Sequence, residues 1–214
     1  MIPILTVFIC FLFLFAVIGS LRGWAKEIIV VFSVILALFI EHVFLNFIGP
    51  IRALFNSMPR QSQFYTRTAL LVIITIFGYA SPSVVARFGA RVARERLQDV
   101  LLGFFLGLIN GFLIIGTLLS FLNAARYGVP EGAWIEQQRV DAAGNPVLDR
   151  NGQPVVDIVY TPGVKGIGGI EPPPLNSPIR GWLPYLPPEV VARSNAALYV
   201  AVAAAFVFVL VVFI

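Results

Sequence analysis

Long, unbroken apolar runs dominate the chain, and they are not periodic in the way a soluble helix or strand would be. Five of them lie near residues 2–18, 28–48, 68–86, 100–123 and 196–214. Each approaches the roughly 20 residues needed to cross a hydrocarbon core about 30 Å thick. The polar connections are short except for 124–195, which carries most of the prolines and many glycines. The pattern therefore predicts an all-α membrane protein of about five transmembrane helices, with a Pro/Gly-rich loop containing short β-strands before the last helix. Residues 1–123 read as a four-helix membrane domain, 124–195 as a loop region and 196–214 as the fifth helix.

The fourth run has a second pattern. Asp99, Gly103, Gly107 and Gly111 recur every fourth residue, so on a helix they form one slowly drifting stripe of small groups. Lipid cannot drive helices together by hydrophobicity, so such a stripe reads as a face where another backbone packs closely. The second helix is the expected partner. Asn110, beside the stripe, is expected to hydrogen-bond across that interface. Asp99, in the first turn, is expected to satisfy the free amides of its own helix.

Charge sets the orientation. Arg22 and Lys26 follow the first run, and Arg87, Arg91, Arg94 and Arg96 precede the fourth, while the 49–67 connection holds only Arg52, Arg60 and Arg67. By the positive-inside rule this places the N-terminus outside, the 124–195 loop extracytoplasmic and the C-terminus cytoplasmic. The first run lacks the basic n-region and A-x-A-like site of a cleaved signal and reads as a retained helix. Pro82 is expected to kink or end the third helix. Beyond it, Arg87, Arg91 and Arg94 oppose Val84, Val85, Phe88 and Val92, as in an interfacial amphipathic segment or a solvated charged face.

Composition agrees with a membrane protein: mean hydropathy is +0.89, and only 12% of residues are charged, about half the usual share in soluble domains. The net charge of +4 is explained by attraction to the bilayer surface, so lipid, not nucleic acid, is the expected partner. One histidine and one cysteine, both in apolar runs, leave no metal cluster and no Ser-His-Asp triad. GVKGIGG, at 163–169, lacks the Lys-Ser/Thr ending of a phosphate-binding loop. No cofactor, metal site or catalytic residue is expected, and the chain does not read as an enzyme.

Three further features are candidates. Gly19 and Gly23 allow a tight reversal after the first helix, where Arg22 and Glu27 can form an exposed pair worth about 0–1 kcal/mol. Glu41 and His42 lie within the second run, with Asn46 following. Either Glu41 snorkels outward with His42 at the headgroups, or the two make an intramembrane polar or proton-accessible site. In the loop, DAAGNPVL and DRNGQPVV repeat with a period of eight, closed by Asp157. The repeat predicts aspartate-initiated turns joined by short extended pieces, and it lacks the spacing and terminal glutamate of an EF-hand. EPPPLNSP, from Glu171, should be extended, with Trp182 and Tyr185 as an interfacial aromatic anchor.

Residues 1 to about 123 resemble the colicin V production (CvpA-like) family of bacterial membrane proteins. The resemblance rests on Gly19, Arg22, Gly23 and Glu27 after the first helix, and on Asp99, Gly103, Gly107 and Gly111 in the fourth. Where the family often has a basic residue just before the last of those glycines, this chain has Asn110. The resemblance implies a multi-pass inner-membrane protein linked to toxin (colicin V) production or export and to envelope maintenance. A non-enzymatic scaffold or export accessory, as a homo-oligomer or part of a larger complex, is the leading expectation. An accessory subunit of a respiratory or photosynthetic complex, and a small channel or transporter, are the alternatives. Some relatives append an extracytoplasmic trypsin-like protease; this chain carries the Pro-rich loop and a fifth helix instead.

Overall fold

The apolar runs become helices, and their breaks are local. In the computed structural model the chain is described over residues 4–80, 96–149, 152–192 and 195–213. Helix α1 (Ile4–Arg22) stops where Gly23 takes φ +84°, a conformation that a side chain disfavours. Helix α2 (Trp24–Phe47) starts directly after it. The short α3 (Gly49–Ser57) begins with Pro50 in its first turn, and Met58, held extended ahead of Pro59, ends it. Next come α4 (Arg60–Ala80) and α5 (Arg96–Ala124). Strands β1 (Trp134–Gln138) and β2 (Val156–Tyr160), the short α6 (Pro178–Trp182) and α7 (Pro187–Ala192), and α8 (Asn195–Phe213) complete the order.

Three helices, Ile4–Arg22, Trp24–Phe47 and Leu97–Ala124, are long and apolar enough to cross a membrane. Helix α4 covers most of the predicted third run but begins eight residues earlier, at Arg60. The expected kink at Pro82 and the arginine-rich segment from Ser83 to Glu95 lie outside the described residues. Helix α8 coincides with the fifth run to within a residue at each end.

Helix α5 is the centre of the bundle. Its glycine face lies antiparallel against α1, while another face meets α2, which in turn carries α4 and α8. Val30, Val34, Ala37 and Leu38 of α2 form one core with Leu71 of α4 and Ile114 and Phe121 of α5. A second core joins Phe8 of α1 and Leu119 of α5 to Ile179 and Leu186 of the loop region, so the loop is packed onto the bundle. Elsewhere α1 exposes Val7, Phe11, Phe13, Leu14 and Val17, and α4 exposes Ile73, Ile76 and Phe77. Apolar side chains left outward on this scale belong in lipid. Cys10 is exposed on α1 among them.

The eight-residue repeat folds differently from a run of strands. The regular antiparallel pair, Trp134↔Tyr160 through Gln138↔Val156, lies mainly to either side of it. Inside it, Val140↔Pro146 and Leu148↔Pro154 are isolated bridges. Proline has no amide hydrogen, so Pro146 and Pro154 cannot extend a ladder. A closed triangle of backbone bonds forms instead: Arg139 N–H to Val155 O, Val147 N–H to Arg139 O and Val155 N–H to Val147 O, each 2.8 Å. The expected turns are present, with Asp141 Oδ1 accepting from the amides of Ala143 and Asn145 and Asp149 Oδ1 from that of Gln153. Asp157, which closes the repeat, takes a bidentate pair from Arg139, at 2.6 and 2.9 Å, and its carboxyl is held below the usual range by that guanidinium.

Candidate functional site

Small residues let α1 and α5 touch backbone to backbone. A methyl group on Gly19 would run into Gly103 O and the Gly107 backbone, and one on Gly107 into Phe15 O, Ala16 Cα and Gly19 Cα. Gly111 continues the contact against Leu12 and Phe15. The stripe's partner is therefore α1, not the second helix that the sequence suggested. The reason is complementarity: α1 offers Ala16 and Gly19 on one side, with Gly23 just past its end, whereas the face α2 turns inward carries Val30, Val34 and Leu38.

Asp99 serves a second helix besides the one expected. It stands in the first turn of α5 as expected, and its Oδ1 in addition accepts the Trp24 backbone N–H at 3.2 Å, so the carboxylate also caps the N-terminus of α2. Gly23, at the cap position, has no side chain to do this itself, and a Cβ there would come within 2.9 Å of both Asp99 oxygens. A carboxylate at a helix N-terminus is worth about 0.5–2 kcal/mol.

The Arg22–Glu27 pair forms, and it is not the exposed pair anticipated. Glu27 is fully buried, with Oε1 2.6 Å from an Arg22 guanidinium nitrogen. Asn110 reaches across from α5, donating Nδ2 to Glu27 Oε2 at 2.8 Å and to the Glu27 backbone oxygen at 2.9 Å. Arg22 donates its other terminal nitrogen to Tyr79 O at 3.3 Å, and its guanidinium lies 4.3 Å from the centroid of the Tyr79 ring. One carboxylate thus ties α1, α2 and α5, and the arginine ties in α4. Sequence reasoning missed Tyr79, because nothing along the chain relates it to a residue 57 positions earlier. The Asn110 Oδ1 and Tyr79 hydroxyl atoms are buried without a partner among the described residues.

Glu41 and His42, adjacent in sequence, part company. Glu41 is buried and pairs with Arg67 of α4, the inward alternative of the two weighed for it. Arg67 also lies over the rings of Phe121 and Phe55, at 4.7 and 5.8 Å. His42 is half-buried, with Nδ1 3.1 Å from Asn46 Nδ2, and its ring packs edge-on against Phe47 and Tyr199. The structure thus brings Gly19, Arg22, Gly23, Glu27, Asp99, Gly103, Gly107 and Asn110 into one junction and leaves Glu41 and His42 at the other end of α2. Trp182 and Tyr185, the expected aromatic anchor, are exposed, and Trp182 meets Phe8 of α1 edge-on.

Chemically the junction is a lock. Its carboxylates and its guanidinium are directed at groups of the same chain, and its glycines leave no space between α1 and α5 for a substrate. The family model described as Colicin V production protein matches residues 6–140, which contain every junction residue and β1. No curated protein and no solved structure matches the chain.

Proposed function

We propose a function from one premise: the chain belongs to the colicin V production protein family. It is a multi-pass protein of the bacterial cytoplasmic (inner) membrane that supports toxin (colicin V) production or export and envelope maintenance as a non-enzymatic scaffold or export accessory. Five helices, α1, α2, α4, α5 and α8, span the bilayer. The N-terminus is outside, the 124–195 region is extracytoplasmic and the C-terminus is cytoplasmic.

The observation that carries the scaffold reading is the convergence of the two signature clusters on a single junction, where Glu27, Arg22, Asp99 and Asn110 bond to one another's helices. Polar groups inside a membrane protein are costly unless paired. Here their pairing fixes the register of the four helices. Orientation is supported by the arginine-rich stretch of sequence before α5 and by Arg22 and Lys26 at the facing ends of α1 and α2.

The test is complementation. In a bacterial host deleted for its own family member and carrying colicin V, the wild-type chain restores extracellular toxin, and Gly107→Leu at equal expression does not. Absence of restoration by the wild-type chain, or ion conductance of the purified protein in liposomes that is lost in Glu41→Ala, refutes the scaffold reading. For orientation, Asn145→Cys in a Cys10→Ser background reacts with a membrane-impermeant maleimide added outside intact spheroplasts. Reaction only after lysis refutes the orientation.

A further inference from the structure

A half-open cavity of about 850 Å³ lies where the N-terminal end of α1 meets the proline-rich segment of the loop region. Ile4 and Val7 line it from α1, and Lys165, Glu171 and the prolines at 172–174 line it from the loop. Val7 also begins an exposed apolar strip. Val7, Phe11 and Leu14 recur at i, i+4 and i+7, so they share one face of α1. On a helix long and apolar enough to cross a membrane, such a face lies against lipid. Val7 thus belongs both to the cavity and to the lipid-facing strip. Phe8, the next residue, meets the exposed Trp182 edge-on, and tryptophan collects at headgroup depth. The cavity therefore sits at the membrane interface.

Two opposite charges border it without meeting. Lys165 is exposed and Glu171 half-buried, and neither forms an ion pair or a side-chain hydrogen bond among the described residues. Elsewhere in the loop region Arg126 is paired with Glu136 and Arg139 with Asp157. Proline supplies a carbonyl oxygen but no N–H, so among the lining residues the charged donor is Lys165 and the charged acceptor Glu171. An anion would be attracted by one and repelled by the other, and so would a cation. A ligand carrying both signs is attracted by both.

We propose that this cavity binds a zwitterionic phospholipid with a primary ammonium, phosphatidylethanolamine: its phosphate lies at Lys165, its ammonium at Glu171 and an acyl chain along Val7, Phe11 and Leu14. A primary ammonium offers a carboxylate three N–H donors, whereas a quaternary ammonium offers none. A choline lipid therefore forgoes the charge-assisted bond to Glu171. An anionic glycerol lipid keeps the Lys165 contact but brings no cation to Glu171. The strip on α1 separates a lipid from a free zwitterion of the same headgroup, which has no chain to lay there. The site does not depend on the scaffold reading, since none of its residues belongs to the helix junction, and the orientation of the chain decides only which leaflet supplies the lipid.

Native mass spectrometry of the full chain released from detergent micelles tests it. The probes are dioleoyl phosphatidylethanolamine, phosphatidylcholine and phosphatidylglycerol, with soluble glycerophosphoethanolamine as the chainless comparator. An exposed ion pair is worth up to about fivefold in affinity, so the ethanolamine lipid is expected to fill one site about threefold to fivefold more tightly than the other two lipids. The chainless headgroup is expected to bind at least about tenfold more weakly than the lipid. Glu171→Gln should bring the ethanolamine lipid to the level of the choline lipid, while Lys165→Gln should weaken all three, because the phosphate is common to them. Neither side chain holds another group, so neither change is expected to shift the melting temperature of the delipidated protein. Equal binding of the three lipids, tighter binding of the glycerol lipid, glycerophosphoethanolamine binding as tightly as the lipid, or an ethanolamine preference that survives Glu171→Gln each overturns the assignment. If either variant folds poorly, the wild-type ranking of the three lipids decides.

Discussion

Gly107→Ala adds one methyl group to the place where α1 and α5 are closest. The new carbon would overlap Phe15 O and sit 3.0 Å from both Ala16 Cα and Gly19 Cα. All three neighbours are backbone, so no side chain can rotate away and the helices must separate. Overpacking of a tight interface costs about 1–3 kcal/mol, and backbone opposition places this site at the upper end. Alanine recovers about 1 kcal/mol as the better helix former. The net expectation is a loss of about 1–2 kcal/mol, read from the midpoint of SDS-induced loss of helical circular dichroism in mixed micelles. Gly181→Ala, where a Cβ meets nothing within 4 Å, serves as the control and should move the midpoint little. Gly19→Ala should cost a similar amount, because its Cβ would lie 2.7 Å from Gly107 Cα. The double variant should cost clearly less than the two singles added together, since helices already pushed apart by one methyl accommodate the other. Additive costs, or a Gly107→Ala midpoint equal to wild type, would refute a backbone-to-backbone contact.

Glu27→Leu strands Arg22 and strips Asn110 of its carboxylate partner. Breaking a buried pair costs about 3–5 kcal/mol, and because the Arg22 side chain is 24% exposed the lower figure applies. Adding Arg22→Leu should recover part of that loss in the same SDS titration, whereas a further loss would show that the pair is not the main interaction. Arg67→Met should lower the stability of the bundle by a comparable amount by leaving Glu41 alone and removing the charge over Phe121, and an unchanged midpoint would count against the Glu41–Arg67 pair. In the hairpin, Asp157 is held below its ordinary value by Arg139, so its stabilising contribution is complete above the unfolded value of about 3.9 and disappears as pH falls through the lower folded value. Arg139 is half-exposed, so the effect is well under 1 kcal/mol. Carbon-detected NMR titration of Asp157 should show the depressed midpoint in the wild-type chain and an ordinary one in Arg139→Gln; equal midpoints would contradict the pair.

Apolar run length was enough to place α1, α2, α5 and α8, and spacing was enough to mark the glycine stripe. Partners were harder to read. Asp99 obeys the rule that a carboxylate belongs at a helix N-terminus, but besides its own it serves that of α2, 75 residues earlier. Local rules assign such a residue to its own helix by default. Similarly, Arg22 and Glu27 are close enough in sequence to suggest a pair, yet whether it lies in water or inside depends on Asn110, 83 residues beyond Glu27. One signal was available and unused: Ala16 and Gly19, with Gly23 just past the end, give α1 a small-residue face that fits the stripe. The repeat was legible as turns because aspartate and glycine act locally. Its closed triangle was not, because that depends on three segments meeting.

The antiparallel seating of α1 on α5 has a consequence in time. Translation proceeds at roughly 5–20 residues per second, so the 88 residues separating Gly19 from Gly107 take roughly 4–18 s to make. Throughout that interval α1 must remain in the bilayer with its glycine face against lipid. Its uniformly apolar sequence permits this, and the Arg22–Glu27 pair, local in the chain, can neutralise its charge from the moment α2 emerges. The seal made by Asn110 comes last. The nascent protein thus waits as a set of loosely associated spans, open to capture by insertion factors or to pairing with another copy, until its fourth long helix arrives to close it.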